Sequence, residues 1–481
     1  MALGTGCFAL YVANTWTSPV SVTGDIGGTK LDLTQYTYLP VGSGQNLKMN
    51  AIGQGGTIPV GKVGIVFLRD NSLSNASCGY GVKVAETDPA AAVWQDPATG
   101  TSNVATALRV VASAPVVIYD ILPFGGGRSA VTDATLLLPT STWDTNYIVI
   151  TPRPLGSNTN NPGLAIVAAA DGTNVTIKPT ADITAGTGVA GATKGTPVTY
   201  ALKKGQVLRI EQPADLLGSI VSATKPVGVW AEQNCINIDA CCCDGAHEQL
   251  PPIRAFGSEY VYARYRNRVD GKDESPPTRI TGAVDGTMLT FDPKPMGSQT
   301  TVNKGESFEV RSSAPFVVKS QDDMHPFYVG TYMTGGGDFV GAGDPEFVNV
   351  VPTGQYLSKY VFFTDPTYPE TNLVMVRKKG ADNAFHDVAL DCGGNVTGWK
   401  PVGSGGAYEW ALRDLVRHNF APQSGCDNGA HEAHSDGPFT MTVWGWGTTE
   451  TDPNFQSTYV SYAYPAGASV QSINSVIVPP N

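Results

Sequence analysis

The residues best suited to chemistry lie in one stretch, 235–260, which reads CINIDACCCDGAHEQLPPIRAFGSEY. It holds four of the eight cysteines and one of the six histidines of the 481-residue chain. Thiolates, imidazoles and carboxylates are the usual ligands of zinc, and in a suitable setting they also serve as nucleophiles and bases. A metal site here would use Cys241, Cys243, His247 and Glu248.

The spacing of these groups favours disulfides over a metal. Structural zinc sites pair their ligands at short intervals such as C-x2-C, whereas three cysteines here are consecutive. Three adjacent residues cannot all direct their side chains at one ion without strain in the backbone. We therefore expect Cys235 to pair with a cysteine of 241–243, and zinc binding or a catalytic thiol is the less favoured alternative.

The other cysteines also suggest disulfides. Cys392 and Cys426 are expected to pair, and Cys7 with Cys78 is a second candidate pair. An even number of cysteines in a glycine-rich chain with few charges is typical of proteins from oxidising compartments. We therefore expect a secreted or cell-surface protein. The disulfide candidates are Cys7, Cys78, Cys235, Cys241, Cys242, Cys243, Cys392 and Cys426.

The composition indicates an all-β protein and excludes some partners. Charged residues make up 15% of the chain, with 55 glycines and 34 prolines, and such a mixture disfavours helix interiors. The formal charge of −11 argues against nucleic-acid binding, which requires a basic surface. No segment has the roughly 20 apolar residues needed to cross a bilayer. The N-terminus has no export signal, so we expect a truncated start.

An internal repeat organises the chain. Tyr147, Tyr260 and Tyr360 each precede an apolar strand, and Tyr459 continues this series as the start of a lone fifth opening strand. The tyrosines recur at roughly 100 to 115 residues, a spacing too regular for chance. Each unit closes with a strand that is led by a proline, at Pro115, Pro226, Pro315 and Pro438.

The repeat predicts about four tandem β-sandwich-like units of roughly 100–120 residues each. We place them at 1–120, 121–232, 233–332 and 333–481, the last with the C-terminal closing strand. A radial, propeller-like arrangement of the units is the alternative. The segments 123–142, 234–257 and 321–355 read as long irregular loops, which should gather on one side of the scaffold and carry recognition.

Other candidate sites are weaker. The carboxylates Asp338, Asp344, Glu346 and Asp365 suit calcium chemically, but they follow no known calcium-loop spacing, so we expect no cofactor, with calcium or zinc as minor alternatives. No nucleophile elbow and no dinucleotide fingerprint is present. A binding surface could use exposed aromatic residues. The candidates are Phe124, Trp143, Tyr368 and Trp446.

Three long blocks carry a resemblance to a known family. They are the cysteine run with HEQLPP, the block PVVIYDILPFGGGRSAVTDATLLLPTSTWDTNYI, and the block DPEFVNVVPTGQYLSKYVFFTDPTYPETNLVMVR. Together they resemble the IgGFc-binding protein N-terminal domain, which occurs in bacterial surface or secreted proteins and in a large animal mucus protein. The resemblance covers nearly the whole chain and implies a binding module rather than an enzyme.

The leading hypothesis is therefore a secreted or surface-displayed adhesion module. Its partner would be an extracellular protein or glycan, possibly mucin-like or an immunoglobulin Fc, which the resemblance suggests. A metal-dependent enzyme built on the cluster at 235–248 is one rival, and a purely structural part of a cell-surface array is another.

Overall fold

The computed structural model describes residues 7–70, 78–85, 102–126, 131–156, 161–450 and 458–480. Within these residues the chain forms antiparallel β-strands, and helical structure is limited to short 3-10 turns. The turns are Leu33–Tyr36, Gly44–Asn46, Ile253–Ala255, Gly336–Phe339 and Thr353–Gln355. The all-β prediction is confirmed, in line with the abundance of glycine, proline and β-branched residues.

The strands fall into four consecutive groups. The first is β1 (Cys7–Ala13), β2 (Val22–Ile26), β3 (Thr29–Leu31), β4 (Thr37–Val41), β5 (Lys48–Ala51), β6 (Val63–Asp70), β7 (Asn103–Thr106), β8 (Leu108–Ala112), β9 (Val117–Phe124) and β10 (Asp133–Leu137). The second is β11 (Asp144–Ile148), β12 (Pro162–Ala168), β13 (Thr173–Lys178), β14 (Val198–Leu202), β15 (Gln206–Glu211), β16 (Ile220–Ile238) and β17 (Ala240–Leu250).

The third group is β18 (Glu259–Tyr262), β19 (Pro277–Gly282), β20 (Thr287–Asp292), β21 (Thr301–Val302), β22 (Ser307–Arg311), β23 (Phe316–Ser320), β24 (Phe327–Met333) and β25 (Glu346–Asn349). The fourth is β26 (Leu357–Phe363), β27 (Glu370–Lys378), β28 (Val388–Leu390), β29 (Gly394–Asn395), β30 (Lys400–Val402), β31 (Tyr408–Arg417), β32 (Ala421–Pro422), β33 (Ala430–Trp446) and β34 (Ser461–Pro465).

Each group contains a sheet with the same strand order. The orders are β10-β9-β1-β6, β17-β16-β12-β15, β25-β24-β19-β22 and β34-β33-β27-β31. In the third group a second sheet, β18-β23-β20-β21, shares an apolar core with the first, where Ile280 packs in the same cluster as Leu289 and Val318. This two-layered packing is the arrangement that defines a β-sandwich.

Long strands link the two layers in the second and fourth groups. The first part of β16 pairs with β11 and β13, and its later part pairs with β12 and β17. In the same way, β33 pairs first with β26 and β28 and then with β27 and β34. In the third group two separate strands, β23 and β24, occupy the corresponding places in the two sheets.

Three tyrosines of the repeat make the same pair of hydrogen bonds. Tyr147, Tyr260 and Tyr360 each donate the phenolic O–H to a strand carbonyl, at 2.7, 2.7 and 2.6 Å. Each hydroxyl also accepts the backbone N–H of the residue three positions earlier, at 3.0, 3.0 and 3.1 Å. The carbonyls belong to Val227, Phe327 and Phe439, so each tyrosine ties the opening of a unit to its closing strand.

The innermost strands of the four sheets meet around a common axis. We call β10, β17, β25 and β34 the ring strands. β10 contacts β17 and β34, and β25 contacts the same two strands. The first and last units also pack on each other, with the rings of Tyr119 and Tyr464 stacked at 4.4 Å between centroids. The four two-layered groups therefore form a closed ring, which combines features of both predicted arrangements.

The predicted irregular loops are a correction. The ring strands β10, β17 and β25 lie inside the segments 123–142, 234–257 and 321–355, and most of their residues are buried. Sequence reasoning fails here because several of the buried residues are charged, and their partners lie in other units. These segments do gather together, but at the centre of the molecule rather than on an open surface.

The sheets also run past the predicted unit ends. β10, β17 and β25 follow the boundaries at 120, 232 and 332, yet each pairs with a strand of the preceding unit. The division into units at those positions stays a prediction.

Tyr459 does not open a fifth strand. Its backbone is left-handed, with φ of 56°, and the strand that follows, β34, is the ring strand of the fourth unit.

Candidate functional site

Charged side chains from several units converge at the ring axis. His247 has a side chain that is 20% exposed, and the carboxylates around it are buried. Buried charges are stable only when they are paired or hydrogen bonded, so their partners decide what this region does. We call the following set the axis cluster: Asp120, Asp133, Asp244, His247, Glu248 and Glu346.

His247 joins the second unit to the first. Its Nε2 lies 2.8 Å from Asp120 Oδ1, and its Nδ1 contacts Asp133 Oδ2. Burial alone would lower the pKa of His247, but the attraction of Asp133 and Asp120 outweighs it and raises the pKa well above the usual value. The imidazole is therefore a cation that donates to one carboxylate on each side.

Glu248 joins the second unit to both neighbouring units. Its Oε2 accepts from Thr135 Oγ1 at 2.8 Å and from Asn349 Nδ2 at 2.7 Å. Burial raises the pKa of Glu248 well above its usual range. The side chain thus links β17 to β10 on one side and to β25 on the other.

Asp244 extends the network to the fourth unit. It accepts from Thr132 Oγ1 at 2.8 Å, and Thr132 Oγ1 in turn accepts from the backbone N–H of Ser461 at 2.9 Å. Burial raises the pKa of Asp244, and the nearby charge of Asp344 adds to the effect. All four units are therefore linked by polar side chains near the axis.

Asp133 and Glu346 form the most acidic part of the cluster. Burial raises the pKa of both groups, and their side chains are hydrogen bonded to each other. Two carboxylates can share a hydrogen bond only if one of them holds a proton, because an ionised carboxylate has no hydrogen to donate. The cluster therefore stores protons and connects units.

The structure does not assemble the metal site predicted at 235–248. Cys243 is bonded to Cys235, and His247 is held between two carboxylates. Glu248 follows His247 on the strand, where successive side chains point to opposite faces, and it is bonded to Thr135. Cys241 lies exposed at the hairpin tip, and the side chain of Cys242 lies outside the described residues.

The cysteines form three disulfides among the described residues. They join Cys7 to Cys78, Cys235 to Cys243, and Cys392 to Cys426, the pairs that the sequence suggested. The first closes a separation of 71 residues and the second a separation of 8 residues at a hairpin tip. Staples of this kind stabilise a fold by restricting the unfolded chain.

The predicted aromatic surface is wrong for three of its four members. Phe124, Tyr368 and Trp446 are buried in the core, and burial of aromatic rings is the usual outcome in β-proteins. Trp143 is half-buried and packs edge-on against Trp230 at 5.7 Å between ring centroids. These residues do not form one exposed surface.

The predicted calcium ligands are also dispersed. Asp338 is exposed, whereas Asp344, Glu346 and Asp365 are buried. Asp365 accepts the backbone N–H of Gly125 at 2.7 Å, away from the axis cluster. The described residues therefore do not gather these four carboxylates into one site.

The tips of the inner hairpins meet at one end of the ring. The tip between β16 and β17 contacts the next hairpin through the N–H of Gly335, which donates to Ile238 O at 2.9 Å. That hairpin contacts the fourth unit, where Gly343 N–H donates to Gly447 O at 3.0 Å. We call this exposed end the crown, and it consists of residues 239–241, 336–341 and 447–450.

Val340 is the most unusual residue of the crown. Its side chain is 67% exposed, and its φ is 57°, in the left-handed region. This conformation is an outlier for a β-branched residue, and such outliers occur most often at functional positions. Val340 therefore presents apolar surface to solvent in a strained backbone conformation.

The opposite end of the ring is covered by the C-terminal segment, residues 466–480. Ser469 N–H donates to Gln355 O at 3.1 Å, Asn474 Nδ2 to Ile253 O at 2.8 Å, and Val478 N–H to Asn146 Oδ1 at 2.7 Å. Because this segment crosses several units, the crown is the more open end of the ring.

Sequence reasoning missed most of the axis cluster. It singled out His247 and Glu248, but it gave no role to Asp120 or Asp133. The available signal was a set of charged residues within otherwise apolar strands, such as Asp120 in VVIYDIL. An isolated charge in a buried strand requires a partner, although the sequence does not show which one.

Comparisons with known proteins agree with this architecture. A family model described as IgGFc binding protein matches residues 133–445 of the 481, from the first ring strand to the end of β33. The human protein named IgGFc-binding protein is 27% identical over 251 residues, which span 51% of this chain and 4% of the human protein. The chain thus corresponds to a small part of that relative.

Solved structures add nothing to the assignment. An anti-sigma factor domain-containing protein from Clostridium clariflavum aligns over 95% of this chain and 100% of its own, with a TM-score of 0.13 and 9% identity, too low to support an argument. Among the described residues no helix is long and apolar enough to cross a membrane. The match across the ring of β-units shows that the chain belongs to the IgGFc-binding protein family.

Proposed function

We propose that this chain is a secreted or cell-surface binding module that recognises an extracellular protein or glycan through its crown. The observation that carries the proposal is Val340, an exposed apolar residue in a left-handed conformation where the hairpin tips of neighbouring units meet. Exposed apolar side chains held on a rigid scaffold are typical centres of protein interfaces. The disulfides support an extracellular location, because they persist in oxidising compartments.

An immunoglobulin Fc is the first partner to test, because the human relative is named for that binding. A mucin-type glycoprotein is the second. Binding is favoured over catalysis because the axis cluster is largely sealed and its side chains are used to link units. Cys243, a ligand in the rival metal-enzyme hypothesis, is held in a disulfide.

The crown can be tested by substitution. Immobilised full-length chain is exposed to purified Fc, to Fab fragments as a specificity control, and to mucin. Val340→Asp should weaken capture of the true partner at least about tenfold, because it places a charge at the centre of the interface. Ile477→Asp changes a residue that is 79% exposed on the covered end of the ring, and it should leave capture unchanged.

Equal loss in both variants, or no loss in Val340→Asp, would show that the crown is not the binding surface. Absence of capture by Fc and by every mucin or glycan surface would favour the purely structural role. Hydrolysis of a test substrate would favour the enzyme.

A further inference from the structure

One disulfide has metal-ligand side chains beside it. Donor atoms of Asp391, Cys392 and His431 lie within 4.8 Å of one another, and Cys392 is bonded to Cys426. Two sulfurs, one imidazole and one carboxylate therefore converge on one place in the fourth unit. Among the described residues, neither the Cys7–Cys78 bond nor the Cys235–Cys243 bond has such a group around it.

The histidine is already oriented as a metal ligand would be. Its Nε2 lies 2.7 Å from the carbonyl oxygen of Asp427, which can only accept a hydrogen bond, so Nε2 carries the hydrogen. Its Nδ1 lies 3.1 Å from Asp391 Oδ1 on the side of the disulfide. Metal-binding histidines usually donate their other ring N–H to a carbonyl or carboxylate in this way.

The backbone around these residues is fixed by strand pairing. His431 lies on β33, and Asp391 follows β28, which pairs with β33. The N–H of Asp391 donates to Glu432 O at 3.0 Å, and the N–H of Cys426 donates to Gln423 O at 2.9 Å. Rigid elements of this kind hold ligands better than free loops do.

The burial of the site suits a structural ion. Cys426 is fully buried, and the His431 side chain is 7% exposed, whereas the Asp391 side chain is 43% exposed. The site therefore has one open side through which an ion can enter. Two cysteines, a histidine and a fourth ligand in a closed setting are typical of structural zinc.

We propose that the reduced chain binds one Zn²⁺ at this place, so that a metal replaces the covalent bond between the same two strands. The ligands are the thiolates of Cys392 and Cys426, a ring nitrogen of His431 and a carboxylate oxygen of Asp391. Reduction by a phosphine breaks the S–S bond, adds two electrons and two protons to the sulfurs, and converts the phosphine to its oxide with oxygen from water. Zinc binding then releases the two thiol protons.

Geometry permits this exchange. In a tetrahedral site with Zn–S bonds of about 2.3 Å, the two sulfurs lie about 3.8 Å apart. The ion-paired state of His431 and Asp391 gives up its Nδ1 proton when the metal binds. The two states thus share ligands, strands and orientation, and they differ only in what joins the sulfurs.

The test uses the full chain. It is reduced with a metal-free phosphine, given zinc, desalted and subjected to elemental analysis. We expect one zinc per reduced chain and none on the oxidised chain. Cobalt in place of zinc should give the absorption of thiolate coordination in a tetrahedral site. Zinc should also protect Cys392 and Cys426 from alkylation, while Cys7 and Cys78 react.

Variants separate this site from non-specific binding. Asp391→Asn, at a half-exposed position, and His431→Gln should each weaken zinc binding at least about tenfold. The double variant Cys7→Ser/Cys78→Ser should keep one zinc. The proposal is overturned if the reduced chain holds no stoichiometric zinc, if alkylation protection falls on other cysteines, or if both ligand variants bind zinc unchanged.

Discussion

The axis and the crown are two parts of the same hairpins, and they differ in what they do with polar groups. At the axis the ring strands bury six charged side chains and join them across unit boundaries. At the crown the turns of those hairpins expose Val340 and Cys241 to solvent. The comparison shows that one segment can hold an assembly together at one end and present a surface at the other.

This difference predicts different responses to mutation. Side chains of the axis should control the stability of the whole ring, because each has partners in another unit. Side chains of the crown should control local order or binding, because their contacts are few and partly solvent-exposed.

The largest effect should come from His247→Leu. This change leaves Asp120 and Asp133 buried without their cation, and loss of one partner from a buried ion pair costs about 3–5 kcal/mol. The free energy of unfolding in urea measures it. His325→Leu is the matched control, because His325 pairs with a half-exposed aspartate and should cost less than about 1 kcal/mol. Equal effects would contradict the distinction between axis and surface.

The next effect should come from the disulfide below the crown. Cys235→Ser/Cys243→Ser removes a bond that spans 8 residues, and the chain-entropy estimate for so short a loop is about 2–3 kcal/mol. The loss should appear as faster hydrogen exchange at the hairpin tip, with the ring strands still protected. Loss of protection throughout the ring would show that the tip and the axis form one cooperative unit.

The third effect is a dependence of stability on pH. Burial raises the pKa of Asp133, Asp244, Glu248 and Glu346, and the attraction of its carboxylates, which outweighs burial, raises that of His247. The native chain therefore holds more protons than the unfolded chain, so the free energy of unfolding falls as the pH rises. For the carboxyls this fall begins above about pH 4, and for His247 above about pH 6.5.

Thermal unfolding at pH 5.5 and pH 8.5 measures this dependence, and the midpoint should be higher at pH 5.5. Glu346→Gln should reduce the difference, because it removes one of the carboxyls that takes up a proton. A higher midpoint at pH 8.5 would show that the axis cluster is ionised in the native state.

The smallest effect should come from Arg311→Ala. Arg311 makes two hydrogen bonds of 2.7 Å to Asp239 of the crown, but both side chains are more than a third exposed. Exposed ion pairs contribute about 0.2–1 kcal/mol. The same urea measurement checks it, and a loss near that of His247→Leu would show that the crown carries the stability of the ring.

The repeat could be predicted because its signals are local. Tyr147, Tyr260 and Tyr360 bond to backbone groups of their own units, so the same residue is needed at the same place each time. The ring could not be predicted, because Asp120, Asp133 and Glu346 have partners in other units. Pairing across units leaves no periodic trace in the chain.

The cysteine pairs were also accessible, since short separations and shared units limit the choices. The neighbourhood of Cys392 was not, because Asp391 and His431 are 40 positions apart and meet only through strand pairing. The metal chemistry expected at 235–248 is therefore better matched by a different set of residues in the fourth unit.

The stacking of Tyr119 on Tyr464 has a consequence for survival among proteases. In a linear array the terminal units have one neighbour each, and a single cut between two units releases a fragment. Here the first and last units touch, so every unit has two neighbours. A chain cut once in a connecting turn remains a single particle, and a second cut elsewhere in the circle is needed before any piece can leave.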